Sequence, residues 1–139
     1  MAQVGVLETT AQLKSPAEKF YKLLRTQNQQ IPSACTDMVH DVEVLEGDIK
    51  LWKFSIEGKE EVMKARIEVD EANKSLTYVA VGGNIRELYK SYRVIIKTEM
   101  SGNLKLRLEY EKLNEQVPPP NKYLQFTINL MKQIDQILV

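Results

Sequence analysis

The sequence predicts an α+β fold in which a long C-terminal helix lies on one face of an antiparallel sheet. Between residues 38 and 110, apolar residues recur at every second position in several segments that short polar turns separate. Residues 121–139 instead carry apolar residues at helical spacing, directly after three consecutive prolines. A helix-start signal near residue 15 adds two short helices after the first strand.

The N-terminal region predicts a strand followed by those two short helices. Residues 3–13 alternate loosely between apolar and polar side chains, which indicates the first strand. Ser15 is expected to cap a helix, because Pro16 suits the first helical position and Glu18 completes a capping box with the serine. A polar stretch and an isoleucine–proline step interrupt the helical pattern, so both helices are predicted within residues 16–36.

The central region predicts consecutive antiparallel strands. The clearest spans residues 104–110, in which four apolar residues alternate with three charged ones, and residues 63–69 show the same pattern. Consecutive strands joined by short turns form a meander, in which each strand pairs with the next. The turns are predicted at residues 46–48, 57–59, 70–74, 82–84 and 101–103.

The C-terminal region predicts one long helix with a wide apolar face. Three prolines end the extended structure, and Asn121 is expected to cap a helix that runs to the end of the chain. Such a face either packs against a filled core or leaves space for a ligand, and periodicity does not decide between the two. The apolar residues at helical spacing are Tyr123, Phe126, Leu130, Ile134 and Ile137, and Thr127, Met131 and Leu138 widen the stripe.

Composition limits the classes of partner and the cellular location. The chain of 139 residues has the length of a single domain, over residues 1–139. Its 19 basic and 19 acidic residues give no net charge, which argues against a broad electrostatic surface for nucleic acid or acidic membrane. The sequence shows neither a secretory signal nor an apolar stretch long enough to span a membrane, so a cytoplasmic protein is predicted.

The sequence offers few groups for metal or nucleophilic chemistry. Cys35 is the single cysteine and His40 the single histidine, so no metal and no cofactor are predicted. Cys35 is interpreted as a small buried apolar residue, and His40 as a solvated side chain because its neighbour Asp41 points to the opposite face of the strand. The glutamates of the 57–61 turn are interpreted as a solvated charge cluster.

Several motifs resemble the plant major latex protein-like family. The strongest match is LEYEKLNE at residues 108–115, followed by VPPP at 117–120 and KYL at 122–124. VDEANKSLTY at 69–78 and YKSY at 89–92 are also similar to that family. The N-terminal half contains further similar motifs, so the resemblance covers essentially the whole chain. These are LET at residues 7–9, PAEKFY at 16–21, VLEGD at 44–48 and KLW at 50–52.

The resemblance implies a fold and a cavity. The family belongs to the superfamily of the major birch pollen allergen and class-ten pathogenesis-related proteins. Membership implies a helix-grip fold: a seven-stranded curved antiparallel sheet wrapped around a long C-terminal helix, with two short helices after the first strand and an internal cavity for apolar molecules. The chain departs from the family at two places. It lacks the longer glycine-rich loop that usually follows the motif at residues 46–48. Within residues 79–85 it also lacks the acidic residue that relatives usually carry before the glycine. The shortened loop is expected to reshape one entrance.

The function predicted from the resemblance is non-catalytic binding, storage or transport of a small hydrophobic plant metabolite, hormone or lipid, associated with defence and stress. Two alternatives stay open: a cofactor-independent cyclase or isomerase on the same scaffold, and an interaction protein with a filled core. Catalysis is disfavoured because the inward strand positions are almost all apolar or tyrosine. The partner predicted is a small apolar or amphipathic ligand, without nucleic acid or integral membrane association, bound by a monomer.

Alternation and helical spacing select the residues expected to contact the ligand. Four tyrosines, Tyr78, Tyr92, Tyr110 and Tyr123, lie at such apolar positions, and a buried tyrosine needs a partner for its hydroxyl. The hydroxyls either bond to protein groups or water, or they are presented to the ligand. The predicted ligand-binding residues are Trp52, Phe54, Met63, Ile67, Leu76, Tyr78, Tyr92, Val94, Leu106, Tyr123, Phe126, Thr127, Leu130, Met131 and Ile134.

Overall fold

The computed structural model describes residues 3–139 and contains one antiparallel sheet and three α-helices. The helices are α1 (Ala17–Thr26), α2 (Ile31–Ala34) and α3 (Asn121–Leu138), and two 3₁₀ turns cover Asn28–Gln30 and Asn84–Glu87. The strands are β1 (Val4–Gln12), β2 (Val39–Val44), β3 (Ile49–Ile56), β4 (Lys59–Asp70), β5 (Ser75–Gly83), β6 (Tyr89–Thr98) and β7 (Asn103–Lys112).

The strand order confirms the predicted α+β helix-grip fold. The seven strands lie in the order β1-β7-β6-β5-β4-β3-β2, and every neighbouring pair is antiparallel. Each of the five turns predicted from polar residues lies at a junction between two of these strands. β1 and β2 are the edge strands, and α1 and α2 connect them along the chain.

Irregularities in pairing accompany the curvature of the sheet. The register shifts between Lys64 and Ala65 on β4, opposite the end of β5, and such bulges bend a strand. Gly83 pairs with Met63 next to this shift, has a positive φ of 97°, and a Cβ there would collide with the Val62 carbonyl. The backbones therefore approach each other in a way that only glycine permits.

Both predicted helix caps are wrong. Pro16, not Ser15, precedes the first residue of α1, and no side chain caps that helix. The Ser15 hydroxyl instead donates to Asp135 Oδ1 at 2.5 Å, because a buried carboxylate from α3 lies beside it. Asn121 is the first helical residue of α3, after Pro120 at the cap position, and its side chain makes no capping hydrogen bond.

The apolar stripe of α3 also departs from the prediction at its last turn. Ile137 is 50% exposed, whereas Leu138 is half-buried and packs against the core. Leu130, Ile134 and Leu138 are spaced by four residues and therefore lie on the same face of α3, which is the face turned to the core. Ile137 is rotated away from that face.

Asp135 fixes the C-terminal half of α3 to the junction of β1 and α1. Its Oδ1 accepts hydrogen bonds from the Ser15 amide at 2.9 Å and the Ser15 hydroxyl, and its Oδ2 accepts the Lys14 amide at 2.9 Å. Burial alone would raise the pKa of this carboxyl, but the hydrogen bonds outweigh burial and hold the pKa below its usual value.

Candidate ligand cavity

A cavity of about 90 Å³ lies between the inner face of the sheet and the N-terminal half of α3. Its wall is almost entirely aliphatic and aromatic, because strand alternation turns the apolar positions of β3 to β6 inward while α1 and α2 close one end. The lining residues are Leu24, Ile31, Val39, Trp52, Phe54, Met63, Tyr78, Ile85, Tyr92, Val94, Ile96, Tyr123, Phe126, Thr127, Leu130 and Met131.

Eleven of the fifteen predicted ligand-binding residues belong to this lining. Leu76, Leu106 and Ile134 are fully buried but lie outside it, and Ile67 is half-buried farther along the face of β4 that carries Met63. Alternation identifies the inward face of a strand, but the distance between the helix and the sheet decides which inward residues border a void. Contact of the eleven with a ligand stays a prediction.

Five lining residues were not predicted: Leu24, Ile31, Val39, Ile85 and Ile96. Ile96 follows Val94 at strand period, and Leu24 belongs to the apolar stripe of α1, so both had a usable signal. Val39 lies beside a register shift at the start of β2, and Ile85 lies in a 3₁₀ turn. Neither position carries a periodic pattern that places it inside.

Four of the six tyrosines line the cavity or stack on a ring that does, and their hydroxyls divide into two groups. Tyr123 donates to Glu61 Oε1 at 2.8 Å, and the unpredicted Tyr89 donates to the Pro118 carbonyl at 2.6 Å. The hydroxyls of Tyr78 and Tyr92, both on the cavity wall, make no hydrogen bond to any group within residues 3–139.

Burial determines the protonation of the two unpartnered tyrosines. It raises the pKa of Tyr78, and it raises the pKa of Tyr92 together with the nearby Tyr123 and Tyr89 phenols. Both phenols therefore stay protonated at neutral pH. Each hydroxyl can donate one hydrogen bond and accept others from a molecule in the cavity.

The partly exposed lining residues belong to two elements, β4 and α3. Met63 on β4 and Phe126 and Thr127 on α3 are half-buried, whereas the other lining residues are buried. The rings of Phe54 and Phe126 are 5.1 Å apart, and the Tyr123–Glu61 hydrogen bond joins the start of α3 to β4. The lining is therefore least covered at the residues that β4 and α3 contribute.

The other groups singled out in the sequence lie away from the cavity. Cys35 is completely buried. Burial raises the pKa of its thiol, and the negative charge of the nearby Asp37 raises it further. His40 is exposed, with its ring nitrogens 2.9 Å from the Thr36 carbonyl and 2.5 Å from Ser55 Oγ. Across residues 3–139, no three His, Cys, Asp or Glu side chains converge as a metal site would require, and no helix has the length and apolarity to cross a bilayer.

Comparison with known proteins identifies the family. Residues 2–139 match the sequence profile of the pathogenesis-related protein Bet v 1 family. The chain belongs to the Bet v 1 family. Among curated members, MLP-like protein 328 of Arabidopsis thaliana is 32% identical over 97% of this chain and 96% of its own length. MLP-like protein 43 of the same plant is 34% identical, over 98% of this chain and 94% of its own length.

Solved structures of other proteins agree with the architecture. The crystal structure of major latex-like protein 151 from Panax ginseng aligns with a TM-score of 0.95 at 26% identity, covering 99% of each chain. An aromatase/cyclase from Streptomyces, with a TM-score of 0.75, and a norcoclaurine synthase mutant from Thalictrum, with a TM-score of 0.73, are 11% and 14% identical. At that identity these two enzymes share the fold alone.

Proposed function

We propose that this Bet v 1 family protein binds a small apolar or amphipathic plant molecule in the cavity, without transforming it. The observation that carries the proposal is an apolar cavity lined by two buried tyrosines, Tyr78 and Tyr92, whose hydroxyls have no hydrogen-bond partner within residues 3–139. Removal of apolar ligand surface from water supplies affinity at roughly 25 cal/mol per Å² before entropic costs. The hydroxyls fix the orientation of the ligand.

The size of the cavity sets a condition on the ligand. At about 90 Å³ it is well below the roughly 300–1,000 Å³ of sites for drug-sized molecules. A single ring or a short alkyl group fits as the side chains stand, and a larger molecule requires Phe126, Met63 and Met131 to move. Methionine adapts readily to such changes. We propose that larger ligands enter between β4 and α3, where the half-buried lining residues lie.

The physiological role proposed is storage or transport of that ligand by a monomer in the cytoplasm, linked to defence and stress. Support for this role comes from family membership and from the apolar character of the cavity. Native mass spectrometry of the protein purified from plant tissue tests it. A bound small molecule of defined mass is expected, and a ligand-free protein that also binds no apolar probe would contradict the proposal.

Catalysis is the weaker alternative on this scaffold. The enzymes that share the fold make it a reasonable hypothesis, but acid–base chemistry needs a titratable group beside the substrate. The cavity lining contains no Asp, Glu, Lys or His among the described residues. Glu61, at the rim, already accepts the hydrogen bond from Tyr123.

Replacing Tyr78 and Tyr92 with phenylalanine is expected to weaken ligand binding while leaving stability almost unchanged. Because neither hydroxyl has a partner in residues 3–139, each change should alter the free energy of unfolding by less than about 0.5 kcal/mol. The double variant should bind 2-naphthol about five- to tenfold more weakly than the unmodified protein, from the loss of about 1 kcal/mol of hydrogen bonding. Fluorescence titration and urea unfolding measure the two quantities.

Naphthalene and Tyr123→Phe provide the controls for this prediction. Naphthalene has no hydroxyl, so its affinity should be the same for both proteins. Tyr123→Phe removes the hydrogen bond to Glu61 and should lower the free energy of unfolding by about 1 kcal/mol. Equal stability losses in all three tyrosine variants would mean that Tyr78 and Tyr92 have protein partners, and would contradict the assignment.

A further inference from the structure

A half-buried lysine, Lys50, lies on the inner face of the sheet, one inward position from the cavity-lining Trp52. Strand alternation places Lys50 on the same face of β3 as Trp52 and Phe54, which both line the cavity. Lys50 is one inward position before Trp52, so about 7 Å separates their α-carbons. Lysine at an inward position is unusual, because its ammonium group prefers water.

Asn28 holds the Lys50 ammonium group in place. The Lys50 amine donates to Asn28 Oδ1 at 2.6 Å. Asn28 is itself only 1% exposed, and its Nδ2 donates to the Leu24 carbonyl at 3.0 Å, which fixes the direction of Oδ1. Leu24 and Ile31 flank Asn28 in the chain and line the cavity. The ammonium group therefore lies beside the segment between α1 and α2 from which Leu24 and Ile31 reach the cavity, although Lys50 and Asn28 are not themselves part of the lining.

The Lys50 ammonium group has no anionic partner. Within residues 3–139, no carboxylate oxygen lies within 4 Å of it, whereas Lys53, on the outer face of the same strand, is within 4.0 Å of both Asp41 and Glu43. One hydrogen bond to a neutral amide leaves two of its three N–H donors available. Burial lowers the pKa of Lys50, which reflects the incomplete solvation of its charge.

We propose that Lys50 binds the carboxylate of an amphipathic ligand whose apolar part occupies the cavity. This inference rests on the proposed function and narrows the ligand to apolar monocarboxylic acids. A charge-assisted hydrogen bond from a partly desolvated ammonium group is stronger than one between neutral groups. A single ammonium group beside an apolar cavity matches a single negative charge joined to an apolar body. A neutral ligand of the same shape leaves the amine with Asn28 alone.

Binding of two molecules that differ in charge tests the assignment. Isothermal titration calorimetry at pH 7 compares 4-phenylbutanoate with 4-phenylbutan-1-ol, which have the same ring and chain length. The unmodified protein should bind the acid at least tenfold more tightly than the alcohol. Lys50→Met should remove this preference by weakening acid binding about tenfold, while alcohol binding stays within twofold. Lys53→Met, which removes a lysine from the outer face of the same strand, should change neither affinity.

A second measurement does not depend on the folding of a variant. In the unmodified protein, 4-phenylbutanoate should protect Lys50 from acetylation by acetic anhydride, as measured by peptide mass spectrometry, and the alcohol should not. If the alcohol binds and the acid neither binds more tightly nor protects Lys50, the Lys50 assignment is wrong and the cavity function stands. If neither molecule binds, the proposed function and the Lys50 assignment both fail.

Discussion

Replacing Leu106 with alanine is expected to lower the free energy of unfolding by about 2–5 kcal/mol without changing ligand binding. Leu106 is 1% exposed on β7, directly opposite Ile96 of β6 and Thr9 of β1, and it does not border the cavity. Truncation there removes contacts on all sides and leaves a new void in a packed region. Urea unfolding measures the loss, and titration with an apolar fluorescent probe should match the unmodified protein.

Leu130→Ala is the matched comparison, and it is expected to cost less stability than Leu106→Ala but to change ligand binding. Leu130 is equally apolar and 6% exposed, but it lines the existing cavity from α3. Part of its surface already faces a void, so truncation loses fewer contacts and should lower the free energy of unfolding by only about 1–2 kcal/mol, below the usual range for leucine. The enlarged cavity should bind a bulky apolar probe more tightly.

The two leucine variants together distinguish a ligand cavity from a filled core. A ligand carrier requires a small stability loss with a changed probe affinity at Leu130, and a large loss with unchanged affinity at Leu106. If both changes cost several kcal/mol and neither protein binds a probe, the interior acts as packed core. The interaction-protein hypothesis would then replace the carrier.

Asp135→Ala is expected to lower the free energy of unfolding by about 3–5 kcal/mol at pH 7, because three buried or partly buried donors each lose a hydrogen bond to a charged acceptor. The change leaves the Ser15 amide and hydroxyl and the Lys14 amide without their acceptor at the junction of β1, α1 and α3. Asp135→Asn keeps the shape and one acceptor oxygen, so it should cost less than alanine. Chemical unfolding of the three proteins measures the series, and an Asp135→Ala variant as stable as the unmodified protein would contradict it.

The same carboxylate predicts how stability depends on pH. The pKa of Asp135 is lower in the folded protein than in the unfolded chain, where it is about 3.9. Its contribution to folding is therefore complete above that unfolded value and is lost as the pH falls through the folded pKa. The free energy of unfolding should fall more between pH 6 and pH 3 in the unmodified protein than in Asp135→Asn. Identical decreases would assign the acid sensitivity to other carboxylates.

Local sequence patterns were enough to predict the elements and the family. Alternation in residues 63–69 and 104–110, bounded by turn residues, predicted strands that the structure contains in β4 and β7. The meander order followed because short turns force consecutive strands to pair. The run at residues 108–115 predicted a family that comparison over the whole chain confirmed. These features depend on residues close together in the chain, and a sequence pattern records them directly.

The position of the void and the polar groups that reach it depend on tertiary packing. Leu106 and Leu130 both occupy inward apolar positions, yet only Leu130 borders the cavity. Ser15 had the right sequence context to cap α1, but Asp135, 120 residues away, takes its hydroxyl. Alternation alone places Lys50 on the inner face of β3, but its partner Asn28 reaches it only in the folded chain. Periodicity fixes the direction of a side chain, whereas the distance between packed layers depends on long-range contacts that no local pattern contains.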